Sequence, residues 1–363
     1  MNKRICFDIL AVMLLAVSCN KDDKYNDTRV PIVFHNVSCD SVGHSTKGAM
    51  ATTTSGMTEF GLYAAYTQSG SLDASATVFN NMLNARYYLN NGYWIGESDN
   101  YWPNTGKLSF VAYTPYEESS GQIEGFVLPN GKTPGYPRFT YTPPTSGAGL
   151  TAMPDICMSS PLINCVKPVD GDIVEPLEFH HILAGVRFFG RYDVLYPAGN
   201  FSTDYSVKLI SLELGGIIGT KYVQSSATTP YIVWQPDGSL PKTTTYTLTA
   251  QDGQLVSTEI NVFDSRQDFC EDAGLLYLIP QTITQATVRV TYGVYLRSND
   301  ALLATFTSDP LNLPVNTWEP GYMNNYVLGP IMMVNDDAVV VADGCDTAAP
   351  DFYNWIQQGR PDN

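Results

Sequence analysis

Hydrophobic and polar residues alternate along most of this chain, and nearly every alternating segment ends in glycine, proline, asparagine or aspartate. A period of two predicts a β-strand that buries one face, and the residues at its ends predict turns. The clearest predicted strands cover residues 31–37, 60–66, 107–113, 136–142, 205–214, 275–280, 286–297, 302–308 and 321–328. Many short strands separated by turn signals predict an all-β fold built from β-sandwiches.

The composition also favours strands over helices. Aromatic residues make up 12% of the chain and charged residues only 15%, proportions that suit half-buried pleated surfaces. Residues 72–84 and 351–358 can each form a short helix, although neither has a long apolar stripe at helical spacing.

The strongest break in the strand pattern lies at residues 167–172, where proline, glycine and two aspartates combine turn chemistry with a local acidic shift. Roughly 330 residues remain once the start of the chain is set aside, which is long for one hydrophobic core. We therefore predict two tandem β-sandwich domains, at 29–170 and 171–335, followed by a C-terminal tail at 336–363.

Residues 1–18 have the layout of a secretory signal peptide. A basic start at Lys3 and Arg4 precedes a short apolar run and then small residues, too short a stretch to span a membrane permanently. Cys19 follows at the position where a lipoprotein signal peptidase cuts, so we predict a lipid on Cys19 and a polar tether at 19–28. The alternative is an ordinary signal peptide with a chance cysteine.

The net charge narrows the range of partners. It is −16, with a pI of about 4.5, so phosphate backbones and acidic membrane surfaces are repelled. We predict no nucleic-acid partner.

The cysteines do not have the spacing of a metal site. Five of them follow Cys19, namely Cys39, Cys157, Cys165, Cys270 and Cys345. None of the spacings gives a paired C-x-x-C zinc pattern, which indicates buried or free thiols. If one disulfide forms, Cys157 with Cys165 is the first candidate.

Catalytic motifs are also absent from the sequence. His180 and His181 are adjacent, and successive side chains on a strand face opposite ways, so the two cannot chelate one metal. A buried histidine with satisfied hydrogen bonds is the simpler interpretation. The sequence has no nucleophile elbow, zinc-protease motif or phosphate loop, so we predict no enzyme activity, no cofactor and no metal.

Five separated segments carry a resemblance to a known family. They are residues 60–66 (FGLYAAY), 101–116 (YWPNTGKLSFVAYTPY), 177–189 (LEFHHILAGVRFF), 276–295 (LYLIPQTITQATVRVTYGVY) and 317–328 (TWEPGYMNNYVL). In these segments the chain resembles the fimbrillins, the lipoprotein subunits of Bacteroidales-type (type V) pili. The resemblance implies two sandwich domains of transthyretin-like topology, other fimbrial subunits as partners, and a location in a fimbrium at the cell outer membrane.

The resemblance also implies a way of assembling. In the family, an arginine-specific protease removes a first strand, and a strand from another subunit replaces it by β-augmentation. Carried over, Ile32, Val33 and Phe34 belong to the removable strand, with Ile32 and Phe34 on one face. Lys47 stands where the family has its basic cleavage residue, and Arg29 is the only nearby arginine. The alternative is that Lys47 is one solvated residue in a loop.

The tail offers a candidate donor strand. Val339, Val340 and Val341 form an apolar run bounded by Asp336-Asp337 and Asp343, and flanking charges guard such strands against indiscriminate pairing. The alternative is that this run completes the subunit's own second sheet.

Aromatic residues between 87 and 102 allow a different function. Trp94 and Trp102, with nearby tyrosines and asparagines, predict an exposed platform on which sugar rings stack, unless these rings belong to the core. In this alternative, the chain is a non-polymerising outer-membrane lipoprotein that binds glycans. For either function, the predicted adhesion partner is a host or bacterial surface glycan or protein.

Overall fold

The structure of the chain is a computed structural model. It describes residues 29–39, 57–69, 72, 76–116, 122–128, 137–169, 176–190, 205–219, 221–225, 232–235, 243–260, 267–270, 272–328, 331–333, 340–342 and 345–347. Nearly every regular element in these ranges is a strand, which confirms the predicted all-β class. No helix in this part of the chain is long and apolar enough to cross a membrane.

Eleven of the described strands precede residue 170. They are β1 Val33–Phe34, β2 Val37–Cys39, β3 Glu59–Thr67, β4 Thr77–Val78, β5 Ala85–Asn90, β6 Tyr93–Gly96, β7 Lys107–Thr114, β8 Ile123–Val127, β9 Arg138–Tyr141, β10 Cys157–Ser159 and β11 Leu162–Cys165. A short helix, α1 Ala148–Thr151, lies between β9 and β10.

The remaining described strands follow residue 170. They are β12 Leu177–His181, β13 Ala184–Gly190, β14 Tyr205–Ile218, β15 Lys221–Ser225, β16 Ile232–Gln235, β17 Thr243–Thr249, β18 Gln267–Asp268, β19 Leu276–Leu278, β20 Thr282–Ile283, β21 Thr287–Leu296, β22 Ala301–Thr307, β23 Leu311–Asn312, β24 Asn316–Thr317, β25 Met323–Leu328, β26 Ile331–Met333, β27 Val340–Ala342 and β28 Cys345–Thr347. A 3-10 turn at Asp272–Gly274 precedes β19.

The start of the chain closes the largest sheet. The strand order is β1-β6-β5-β3-β7-β10-β12-β2, with β4 on β3 and β11 on β7. β1 and β2 lie at opposite ends of this order, although only His35 and Asn36 separate them in the chain. β1 pairs antiparallel with β6, and β2 pairs parallel with β12. Residues 29–39, here named the N-terminal segment, therefore pair with both edges of one sheet.

The inward face of this sheet builds the smaller of two hydrophobic cores. Alternate residues of each strand point into it, because successive side chains on a strand face opposite ways. This inner core includes Ile32, Phe34, Phe60, Leu62, Tyr87, Trp94, Trp102, Leu108, Phe110, Leu177 and Phe179. The alternate set on β3 and β7, with Tyr63 and Tyr113, packs into the second core.

Two five-stranded sheets supply the largest share of the second core. One has the order β18-β13-β25-β28 with β19 on β13, and the other β17-β14-β21-β22 with β23 on β21. Phe188 of β13 stacks on Tyr326 of β25 with 5.8 Å between ring centroids. The indole N–H of Trp318 donates to the Tyr326 hydroxyl at 2.8 Å. Leu212 and Val290 from the other sheet join the same buried cluster, as in a β-sandwich.

Sheets cross the position of the predicted domain boundary, and the division near residue 170 stays a prediction. β9 pairs with β15, so one four-stranded sheet, β16-β15-β9-β8, takes strands from both sides. The sequence pattern at 176–189 has no turn signal at Ile182 and Leu183, but in the structure the chain bends at these two residues. β12 consequently joins the first sheet and β13 a sheet of the second core.

The helix predicted at 72–84 is wrong. In the described residues of this range, Thr77–Val78 forms β4 against β3. Asn80 and Asn81 then take positive φ angles of 45° and 60°, a left-handed conformation that ends any right-handed helix. The second predicted helix, at 351–358, lies outside the described residues.

A hydrogen bond across the second core generates a stability prediction. The buried Tyr141 hydroxyl donates to the Tyr277 carbonyl at 3.3 Å, and burial raises the pKa of Tyr141, so the phenol remains a donor. We expect Tyr141→Phe to lower the free energy of unfolding by about 1 kcal/mol. The matched control is Tyr292→Phe, because the buried Tyr292 hydroxyl has no hydrogen-bond partner among the described residues. Urea unfolding checks both, and equal losses would contradict the prediction.

Candidate functional site

Main-chain hydrogen bonds hold the N-terminal segment along its length. The amide of Ile32 donates to the carbonyl of Asn100, and the amide of Trp102 donates to the carbonyl of Val30, both at 2.8 Å. At the other edge, the amide of Leu177 donates to the carbonyl of Asn36 at 2.9 Å. The segment therefore occupies the place of a full strand between two edges.

Side chains of the segment alternate as the sequence predicted only up to Phe34, and beyond it the alternation shifts, so that Val37 and Cys39 pack against the inner core. Ile32 and Phe34 are 2% and 1% exposed and enter the inner core. Val33 lies on the other face and is half-buried, and Asn36 is exposed. Two apolar side chains thus anchor the segment, while the opposite face remains more open.

Phe34 is the main anchor because aromatic rings surround it. It meets Phe60, Tyr87 and Phe110 edge-on, with ring centroids 6.1, 5.6 and 5.5 Å away. Edge-to-face pairs in this range add stability beyond the apolar area that they bury. The Tyr87 hydroxyl also donates to the carbonyl of Ile32 at 3.3 Å, and burial raises the pKa of Tyr87, which keeps this donor protonated.

The surface beneath the segment can accept an extended strand. We name it the groove: the edges of β6 and β12 together with the inner-core side chains that touch Ile32 and Phe34. Two sheet edges offer main-chain donors and acceptors, and the aromatic floor selects apolar side chains at alternate positions. The chemistry of this site is strand recognition.

The two candidate processing residues differ in what they would release. Arg29 is exposed, and its guanidinium lies 4.3 Å above the ring centroid of Tyr101. A cut after Arg29 would leave Val30 and the whole paired segment in the groove. Lys47 and the candidate lipid site Cys19 lie outside the described residues.

The two C-terminal strands β27 and β28 belong to different sheets. β28 pairs with β25 and so extends a sheet of the second core. β27, which contains Val340 and Val341, pairs in the described structure only with β26, in a separate two-stranded sheet. Val339 lies outside the described residues. The apolar run is therefore not a strand of the large sheets described.

The predicted exposed platform is wrong for its two tryptophans. Trp94 and Trp102 are each 4% exposed. Trp94 packs on Phe60 at 5.1 Å and Trp102 on Phe110 at 5.7 Å between ring centroids. Both point into the inner core because the N-terminal segment covers the sheet edge beside them.

The candidate disulfide between Cys157 and Cys165 does not fit the strand register. Both residues pair with β7, Cys157 opposite Thr114 and Cys165 opposite Leu108. Six residues along a strand span about 20 Å, far beyond the Cα separation of a disulfide. The thiol of Cys157 instead lies beside that of Cys39.

Fold and groove together define a class: an all-β sandwich protein whose first sheet is completed by its own N-terminal segment. Comparison with known proteins gives the family. The fimbrillin-like family model matches residues 46–331, and the chain belongs to this family. The match confirms the resemblance found in the sequence, and its residues begin after the N-terminal segment. The family is one of fimbrial proteins.

Two relatives show how far the likeness extends. The chain is 24% identical over 295 residues to the fimbrium subunit Fim1C of Phocaeicola vulgatus, covering 74% of this chain and 76% of that one. The crystal structure of a fimbrial protein from Bacteroides vulgatus superposes with a TM-score of 0.56 at 17% identity, covering 87% of this chain and 99% of that one. At this identity the superposition shows a shared fold.

The aromatic anchor generates a testable prediction. Phe34→Ala removes a ring that fills the inner core, so we expect the free energy of unfolding to fall by about 3–5 kcal/mol. We also expect faster hydrogen exchange across residues 31–39. Asn36→Ala, at an exposed position of the same segment, is the matched control and should change stability by less than about 0.5 kcal/mol. Unchanged exchange in Phe34→Ala would contradict the anchoring role.

Proposed function

We propose that this protein is a fimbrial subunit that assembles with other fimbrial subunits by donor-strand exchange and mediates adhesion at the cell surface. The observation that carries the proposal is the pairing of the N-terminal segment with both edges of the first sheet. A subunit that loses this segment exposes two sheet edges and an aromatic groove. Such a surface binds another strand.

The free energy of exchange favours replacing the N-terminal segment by a strand with the same alternation of side chains. Each fully buried side chain such as Ile32 or Phe34 contributes about 1.5–3 kcal/mol, and the main-chain bonds add to this. A spontaneous departure of the segment is therefore rare. An incoming strand with the same alternation restores both contributions, so removal of the segment, and not the exchange itself, controls assembly.

Cleavage at Lys47 is the proposed trigger. Lys47 follows β2 and precedes β3 in the chain, so a cut there separates the segment from the strands that hold it. A cut at Arg29 would release the lipid tether without opening the groove. Because the residue is lysine, the protease in this proposal accepts lysine.

The tail is the proposed donor. Its run of Val339, Val340 and Val341 has the apolar character that the groove selects, and acidic residues flank it on both sides. The separate pairing of β27 with β26 supports this role, since its transfer to a neighbour would leave the described large sheets complete.

Attachment to the outer membrane completes the proposal. A lipid on Cys19 would hold the uncut precursor at the surface through the tether at 19–28. The proposed adhesion partner is a host or bacterial surface glycan or protein. The alternative of a non-polymerising glycan-binding lipoprotein loses the two tryptophan contacts that supported it, since both rings are buried.

Limited trypsin treatment tests the trigger and the exchange together. We expect the purified full chain to be cut at Lys47, to release the preceding peptide, and to form oligomers on size exclusion. Lys47→Ala should stay monomeric, because its segment remains attached to the chain. Arg29→Ala, the matched control, should assemble like the original.

Two results would contradict the proposed function. One is a chain that is cut at Lys47 and loses the segment but remains a monomer. The other is full assembly by a chain truncated after Pro330, because that chain has no donor. Intact mass identifies the cut and the released peptide in each case.

A further inference from the structure

Three neighbouring strands direct metal-ligating side chains to one point of the first sheet. β10, β12 and β2 are adjacent in that order. Cys157 of β10 lies opposite His181 of β12, and Cys39 of β2 lies opposite Phe179, two residues away along β12. Positions two apart on a strand share a face. Cys39, Cys157 and His181 therefore converge at the end of the inner core, where they form the thiol-imidazole cluster.

The ligand atoms of the cluster are spaced as around one ion. The two Sγ atoms are 3.6 Å apart, and Cys39 Sγ is 4.0 Å from His181 Nε2. Cys157 Sγ lies 3.4 Å from the other ring nitrogen, Nδ1. In a tetrahedral zinc site with ordinary bond lengths, two sulfurs are about 3.8 Å apart and a sulfur and a nitrogen about 3.6 Å. All candidate ligand atoms lie within 4.8 Å of one another.

A buried carboxylate contacts the imidazole of His181. Asp155 is 2% exposed, and its Oδ2 lies 2.8 Å from His181 Nδ1. In the described part of the chain, His181 is its only ion-pair partner. This arrangement leaves Nε2 toward Cys39 and matches the carboxylate–histidine pairs that orient metal-binding imidazoles.

We propose that Cys39, Cys157 and His181 bind a soft divalent cation of the zinc class, with Asp155 as a positioning residue. Two thiolates and one imidazole are ligands that select such ions. Because Cys39 belongs to the N-terminal segment and the other two ligands to the sheet, the ion ties the segment into the groove. If the ion also delays strand exchange, that effect rests on the proposed function.

A direct disulfide between the two thiols is the competing arrangement, because their sulfurs lie 3.6 Å apart and a disulfide needs about 2.05 Å. A disulfide uses only the two sulfurs, whereas an ion also uses His181.

Cobalt is the probe for the site, because thiolate–cobalt bonds give a charge-transfer absorption band. The full chain is reduced, freed of metal with a chelator and titrated with Co²⁺. We expect a band that saturates at one ion per chain and disappears on adding Zn²⁺. Cys39→Ser should weaken binding at least tenfold, and its half-buried position makes it the mildest ligand change. Cys165→Ser is the matched control and should leave the band unchanged.

Hydrogen exchange gives a second readout that does not require assembly. We expect Zn²⁺ to slow exchange across residues 31–39 at least tenfold in the original chain and not in Cys39→Ser. The proposal is overturned if no thiolate band appears, if Cys39→Ser keeps it, or if mass spectrometry finds Cys39 joined to Cys157 as a disulfide. Because none of these readouts involves oligomers, failure of assembly after trypsin leaves the metal site standing and refutes only the proposed function.

Discussion

The pairing of the N-terminal segment with β6 on one side and β12 on the other is the interaction on which the first sheet depends. It closes the sheet, and it places Phe34 among three aromatic rings. Trp94 and Trp102 are buried because this segment covers them. The core of the first half of the chain is therefore completed by a few residues that come before all the other strands described there.

A segment with this role gives a subunit two properties that usually conflict. The isolated chain keeps no open sheet edge at the groove, which protects it from indiscriminate pairing. Yet the same contacts are main-chain bonds and alternate apolar side chains, which any strand of suitable pattern can supply. The thiol-imidazole cluster adds a more selective contact, because its side chains come from both the segment and the sheet and do not depend on the strand pattern.

The sequence was sufficient for features that depend on neighbours in the chain. The period of two predicted the strands and the shared face of Ile32 and Phe34, and the separated motifs predicted the family. Features that depend on contacts between residues far apart in the sequence could not be predicted from it. The burial of Trp94 and Trp102 depends on a segment some sixty residues earlier, and the cluster joins residues 118 and 142 positions apart. The helix predicted at 72–84 failed on the left-handed backbone of Asn80 and Asn81.

The most direct measurement is hydrogen exchange at the amides of β6 and β12 in chain from which the N-terminal segment has been released, with and without a synthetic peptide of residues 336–344. The account predicts that release of the segment removes protection at both edges and that the peptide restores it, whereas a scrambled peptide does not. Protection that survives release of the segment, or that the peptide fails to restore, would contradict the claim that this groove exchanges one strand for another.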